Sequence, residues 1–92
     1  LSPILEVVAS LGFDGVEVSL LGMTEVRAEA TGARARGLGL AVTCSDGLPR
    51  EADVTSEDAA VRARGLDHLR RSVRLAAAMG AQSLAGVTYA PW

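Results

Sequence analysis

Ninety-two residues carrying a formal net charge of −2 are enough for one small domain with a core of modest size. Hydrophobic residues at 49% and charged residues at 22% exclude intrinsic disorder, and the acidic balance argues against nucleic acid, whose phosphates call for clustered positive charge. No apolar stretch approaches the roughly 18–20 residues of a membrane span, and the lone cysteine, Cys44, cannot form an internal disulfide, so the sequence suits a cytoplasmic, reducing setting.

Ser2-Pro3 opens the first helical pattern, with Ser as N-cap and Pro at the first helical position. Ile4, Val7, Val8 and Leu11 follow at helical spacing, and Gly12 suits the left-handed position that ends a helix. Residues 15–20 (GVEVSL) predict a strand. A second helix is expected from about Thr24 to Arg36 with Gly37 as its stop, then a strand over 38–44 (LGLAVTC).

Residues 45–55 (SDGLPREADVT) are rich in turn formers and charge, which predicts a loop. The third helix is the longest. Thr55 or Ser56 is expected to cap it, Leu66, Leu69, Val73 and Ala76 to form its buried stripe, and Gly80 to close it. Residues 82–88 (QSLAGVT) predict a third strand, before the chain ends on YAPW.

The order α-β-α-β-α-β predicts parallel βαβ units with right-handed crossovers. The pattern starts on a helix with no strand before it and stops on a strand with no helix after it. The first residue is Leu rather than Met. Residues 1–92 are therefore expected to be part of a larger α/β domain, truncated at both ends.

In parallel α/β folds, sites are built at the C-terminal ends of the strands. Those ends are residues 19–24, 45–53 and 87–92. Tyr89 and Trp92 fall in the last of them and either wall a ligand or merely cover the top of the sheet. Ser45, Asp46 and Gly47 either let a ligand approach the backbone or form a simple Asx-type turn. Glu17, flanked by Val16 and Val18, is expected to point away from the helices, as a site carboxylate or as an Arg-paired structural acid.

Cys44 reads as a small packed hydrophobe, and His68, mid-helix, as a solvated surface residue. No cluster has metal-ligand spacing, and the glycines of GLGLAV precede a strand rather than opening a helix, so no phosphate loop is present.

Three features in one register are more specific. Cys-Ser-x-Gly-Leu (44–48) is followed by D-x-x-S-x-D-x-x-x-R-x-x-G (53–65) and then by A-G-x-T-x-x-x-W (85–92). Together with FDGVE (13–17), they resemble the xylose-isomerase-like (β/α)₈ superfamily, and within it the D-tagatose/D-psicose (allulose) 3-epimerases. The resemblance covers nearly the whole chain, as the first helix through the fourth strand of a TIM barrel.

It implies a ketohexose 3-epimerase that works through a cis-enediolate on a divalent metal, Mn²⁺, Co²⁺ or Mg²⁺, and a homo-oligomer when full length. The four metal ligands of such enzymes come from strands 5 to 8, so none lies in residues 1–92, and the chain alone is expected to be inactive. Three matching positions carry over as substrate-binding: Ser45 beside the sugar, Val87 on an apolar wall, and Trp92 closing over it. Ser45 departs from the Cys of some members, which leaves the preferred sugar open. Hydroxypyruvate isomerase, inosose dehydratase and a non-catalytic paralogue binding a sugar or a partner subunit are the alternatives.

Overall fold

The computed structural model describes residues 2–91. In chain order it forms α1 (Ser2–Ser10), β1 (Gly15–Ser19), α2 (Glu25–Gly37), β2 (Ala41–Leu48), a 3₁₀ turn (Arg50–Ala52), α3 (Ala59–Met79) and β3 (Leu84–Pro91). The strands lie side by side in sequence order and both pairings are parallel. Val18 of β1 and Val42 and Cys44 of β2 pack in one cluster with Leu5 of α1, Ala28 and Ala35 of α2, and Leu75, Ala76 and Met79 of α3. Because α1, α2 and α3 all share this one cluster with the strands, the three helices lie on the same side of the sheet, as right-handed connections in unbroken strand order require. That is the local arrangement of a TIM barrel wall, not of a doubly wound sheet, where the order reverses to cover the second face.

The alternation along the strands follows from this. Val16 and Val18 meet the helical layer, while Glu17 stands on the opposite, exposed face, with Thr43 as its register partner. Glu17 has no ion pair among the described residues, so the Arg-paired structural role finds no support in them.

The helix ends are set by local chemistry. Thr24 caps α2 by accepting from the Arg27 N–H, and α2 continues through Gly37 to a C-cap at Leu38. Leu38 is thereby taken from the strand expected at 38–44, and β2 starts at Ala41. Asp58, not Thr55 or Ser56, caps α3 by accepting from Ala60 N–H at 2.8 Å. Gly80 ends α3 in the left-handed region, at φ 73°.

The buried stripes differ from those expected. On α1 the residues facing the core are Leu5, Val8 and Ala9, whereas Ile4 and Val7, and Leu11 just past its end, are exposed. On α3 the buried positions are Gly65, Ser72, Leu75, Ala76 and Met79, and Leu66 and Val73 are exposed. Only Ala76 was in the expected α3 stripe. Both helices carry two apolar faces, and the one that meets the sheet is chosen by packing, not by periodicity. The helices also approach closely: a Cβ on Gly32 of α2 would sit 2.1 Å from the Met79 carbonyl oxygen of α3.

Candidate functional site

β2 outlasts its apolar run. Ser45, Asp46 and Gly47, expected in a loop, stay in the sheet because they pair with Ala85, Gly86 and Val87 of β3. The register shifts between Gly47 and Leu48, where β2 leaves the regular ladder. Ser19, the last residue of β1, lies opposite Ser45. These ends enclose an open cleft of about 260 Å³, lined by Ser19 and Leu21 from β1 and its loop, by Ser45, Asp46 and Gly47 from β2, and by Gly86 and Val87 from β3.

The cleft's polar groups are mostly hydroxyl and backbone. Ser19 Oγ accepts from Leu21 N–H at 3.2 Å, which orients the hydroxyl and leaves its own proton to donate. The Ser45 carbonyl accepts from Leu20 N–H at 2.8 Å, so β2 is tied to the β1 loop at this point. Gly86 adopts φ 120°, and a Cβ there would lie 2.0 Å from the Asp46 carbonyl oxygen. Only glycine lets the two backbones come this close.

Asp46 does not point into the cleft as a free hydroxyl acceptor. Alternation along β2 turns its side chain to the helical side, where Oδ2 meets His68 Nε2 at 3.0 Å and accepts from the Ser72 hydroxyl. Its Oδ1 accepts from Gly47 N–H at 2.8 Å. His68 is therefore not a solvated surface residue: its side chain is 28% exposed and that of Asp46 12%. The sequence offers no local hint of this pair, since the partners lie on different elements.

Cys44 is fully buried with its sulfur 3.7 Å from that of Met79. Burial pushes its thiol pKa above the ordinary value, and the Glu17 carboxylate adds to the rise. Both effects make it an inert packed residue, as expected from its sequence context.

Of the sequence-predicted site residues, the structure brings Ser45 and Val87 together in the cleft. Trp92 lies outside the described residues, and Tyr89 is exposed and takes no part in the cleft lining. Sequence reasoning placed Ser19 in a strand end and Gly86 in a motif but singled out neither as a site residue. Ser19 was reachable by counting two residues from Glu17 on the same strand face, and Gly86 as an isolated glycine inside a strand. Among the described residues no three His, Cys, Asp or Glu side chains converge to hold a metal ion. His68 and Asp46 are already satisfied by each other and by Ser72, so nothing described in this chain fits a divalent cation.

Chemically, the cleft offers hydroxyls, apolar area and open backbone. Ser19 and Ser45 offer hydroxyls, Val87 and Leu21 offer apolar area, and the two glycines let a ligand lie against the backbone. No helix among the described residues is long and apolar enough to cross a membrane.

The sequence profile of the xylose isomerase-like TIM barrel family matches residues 5–91. An L-ribulose 3-epimerase of Mesorhizobium japonicum is 40% identical over 76 residues, covering 83% of this chain and 26% of that protein. A D-psicose 3-epimerase of Agrobacterium fabrum is 33% identical over 93 residues, covering 98% of this chain and 32% of that protein. Among solved structures, a D-psicose 3-epimerase crystallised in the presence of D-fructose superposes with a TM-score of 0.89 at 29% identity, over 99% of this chain and 32% of the other. An L-ribulose 3-epimerase structure gives 0.82 at 35% identity, over 95% and 31%. The chain thus spans a third or less of the length of these relatives.

Proposed function

The chain belongs to the xylose isomerase-like TIM barrel family, and from that premise we propose that it forms part of the substrate pocket of a ketose 3-epimerase. The observation that carries the reading is the cleft between the C-terminal ends of β1 and β2 and residues Gly86 and Val87 of β3, which supports a site at the end of the wall where TIM-barrel enzymes bind substrate. Its hydroxyl, backbone and apolar groups support a sugar as the ligand. In this reading Ser19 and Ser45 bond substrate hydroxyls, Val87 packs on the apolar face of the carbon chain, and Trp92 closes over it.

Epimerisation at C3 removes a proton from one face of the carbon and returns one to the other, with no net oxidation. The proton-transfer groups lie outside residues 1–92, and so does the site for the divalent metal (Mn²⁺, Co²⁺ or Mg²⁺) that the family resemblance implies. The contribution of this chain is binding and orientation, which holds the ketose so that C3 meets those groups. The full-length enzyme is read as a cytoplasmic homo-oligomer acting on a free ketose or a related keto or polyol substrate, without nucleic-acid or membrane partners.

The test is to express the full-length protein and assay D-fructose, D-psicose and L-ribulose with Mn²⁺ present, beside residues 1–92 alone. Turnover at C3 by the full-length protein and none by the shorter chain is the expected result. Full-length protein that binds ketoses without converting them would replace the enzyme reading with that of a sugar-binding paralogue.

A further inference from the structure

Building on the epimerase reading, we propose that Asp46 is a positioning residue for the pocket wall and that His68 of α3 is the group that holds it in place. The three other helix-facing residues of β2, Val42, Cys44 and Leu48, are apolar and buried. An aspartate among them loses hydration, and an apolar side chain would pack there without that cost. What a carboxylate adds is direction.

Its two oxygens are used on opposite errands. Oδ2 reaches across to α3, to His68 Nε2 at 3.0 Å and to the Ser72 hydroxyl. Oδ1 turns back to the strand and takes the N–H of Gly47 at 2.8 Å. The Ser72 hydroxyl also lies 3.0 Å from the His68 carbonyl, so its single proton has two acceptors in reach and the charged one is the stronger.

The location gives this linkage its consequence. Asp46 sits between Ser45 and Gly47, and both line the cleft. The β2–β3 register breaks immediately after Gly47, so the ladder alone does not set the backbone there. On the other side the Asp46 carbonyl abuts Gly86. His68 fixes the carboxylate, the carboxylate fixes Gly47, and the wall that a sugar would meet is held from behind by a helix that never touches it. A wall residue contacted alike by substrate and transition state governs binding more than turnover.

The test uses the full-length protein with His68→Phe, which keeps a ring but removes the donor, and His68→Gln, whose amide N–H can still reach Oδ2. Arg70→Ala, on an exposed face of the same helix, is the control. For His68→Phe we expect KM for the ketose to rise about fivefold with kcat within about twofold, while His68→Gln and Arg70→Ala stay within about twofold of the parent in both. The reverse order, with Phe tolerated and Gln impaired, means that His68 merely fills space and overturns the proposal. Equal KM values for all variants overturn it as well.

Hydrogen exchange of the segment 45–48 separates this outcome from failure of the epimerase reading. Faster exchange in His68→Phe than in His68→Gln sustains the positioning role even in a protein that turns over no ketose. Equal exchange in the two removes it.

Discussion

Asp46 and His68 are 22 residues apart, on β2 and α3, and their Oδ2 and Nε2 atoms stand 3.0 Å from each other. Ser72, one turn further along α3 and 1% exposed, closes the group. Ser72→Ala removes a donor from a largely buried carboxylate without changing the local volume much. Loss of one such charge-assisted bond is expected to cost about 1–2 kcal/mol of stability. Urea unfolding of the full-length protein measures it, and an unmoved midpoint would mean that the hydroxyl carries no weight there.

Two glycines mark contacts that no other residue can make. Gly86→Ala places a Cβ 2.0 Å from the Asp46 carbonyl at φ 120°, and Gly32→Ala places one 2.1 Å from the Met79 carbonyl. Neither neighbour is a flexible side-chain tip, so backbones must move apart. Each variant is expected to lose about 2–3 kcal/mol or more, and Gly86→Ala to distort the cleft as well. Thermal melts decide the matter: a parental melting temperature in either variant contradicts the close approach.

The alternation of Val16, Glu17 and Val18, the glycine that ends α3 and the succession of helices and strands were legible in the sequence, because each depends on neighbours in the chain. The buried face of α3 was not. Leu66, Leu69, Val73 and Ala76 trace one helical face and Ser72, Leu75, Ala76 and Met79 trace another that shares Ala76, and periodicity cannot say which of the two meets the sheet. The end of β2 was misread for a related reason: Ser45, Asp46 and Gly47 are turn formers held in a strand by β3, a pairing more than thirty residues away. The cleft was legible only in part. Ser45 was marked by its place at a strand end as well as by the family resemblance and Val87 by the resemblance alone, whereas the partnership of Asp46 with His68 depends on how α3 rotates over the sheet.

Cys44 gives a prediction with a definite sign. Burial first, and Glu17 second, raise its pKa in the folded state. Between the ordinary thiol value of the unfolded chain and the higher folded one, the unfolded chain holds fewer protons than the folded chain. Stability is therefore complete below that window and falls as pH rises through it. Cys44→Ala is expected to flatten this alkaline loss while costing about 1 kcal/mol for the lost contacts with Met79. Denaturant titrations at pH 8 and pH 10 read both effects. An alkaline slope that is the same with and without the thiol would assign the loss to other groups. The native thiol should also resist an aromatic disulfide reagent at pH 8 and react once the protein is unfolded.

Ser45 is where the pocket reading is most exposed to test. It lies on the cleft side of β2, opposite Ser19 and beside Ala85, with its carbonyl tied to Leu20. A larger side chain there has no helical layer to retreat into and must project into the cleft of about 260 Å³. Ser45→Leu adds roughly three heavy-atom equivalents of apolar volume and removes a hydroxyl. Ketoses that differ in configuration near this wall should be affected unequally. We expect kcat/KM for at least one of D-fructose, D-psicose and L-ribulose to fall by about tenfold relative to another, which corresponds to roughly 1.4 kcal/mol of discrimination. Fold stability should change little, because the new side chain enters the cleft and not the core. Steady-state kinetics on the three sugars with matched metal supply the comparison. A substrate profile scaled down evenly, or not changed at all, would place the sugar elsewhere and leave Ser45 as part of the sheet only.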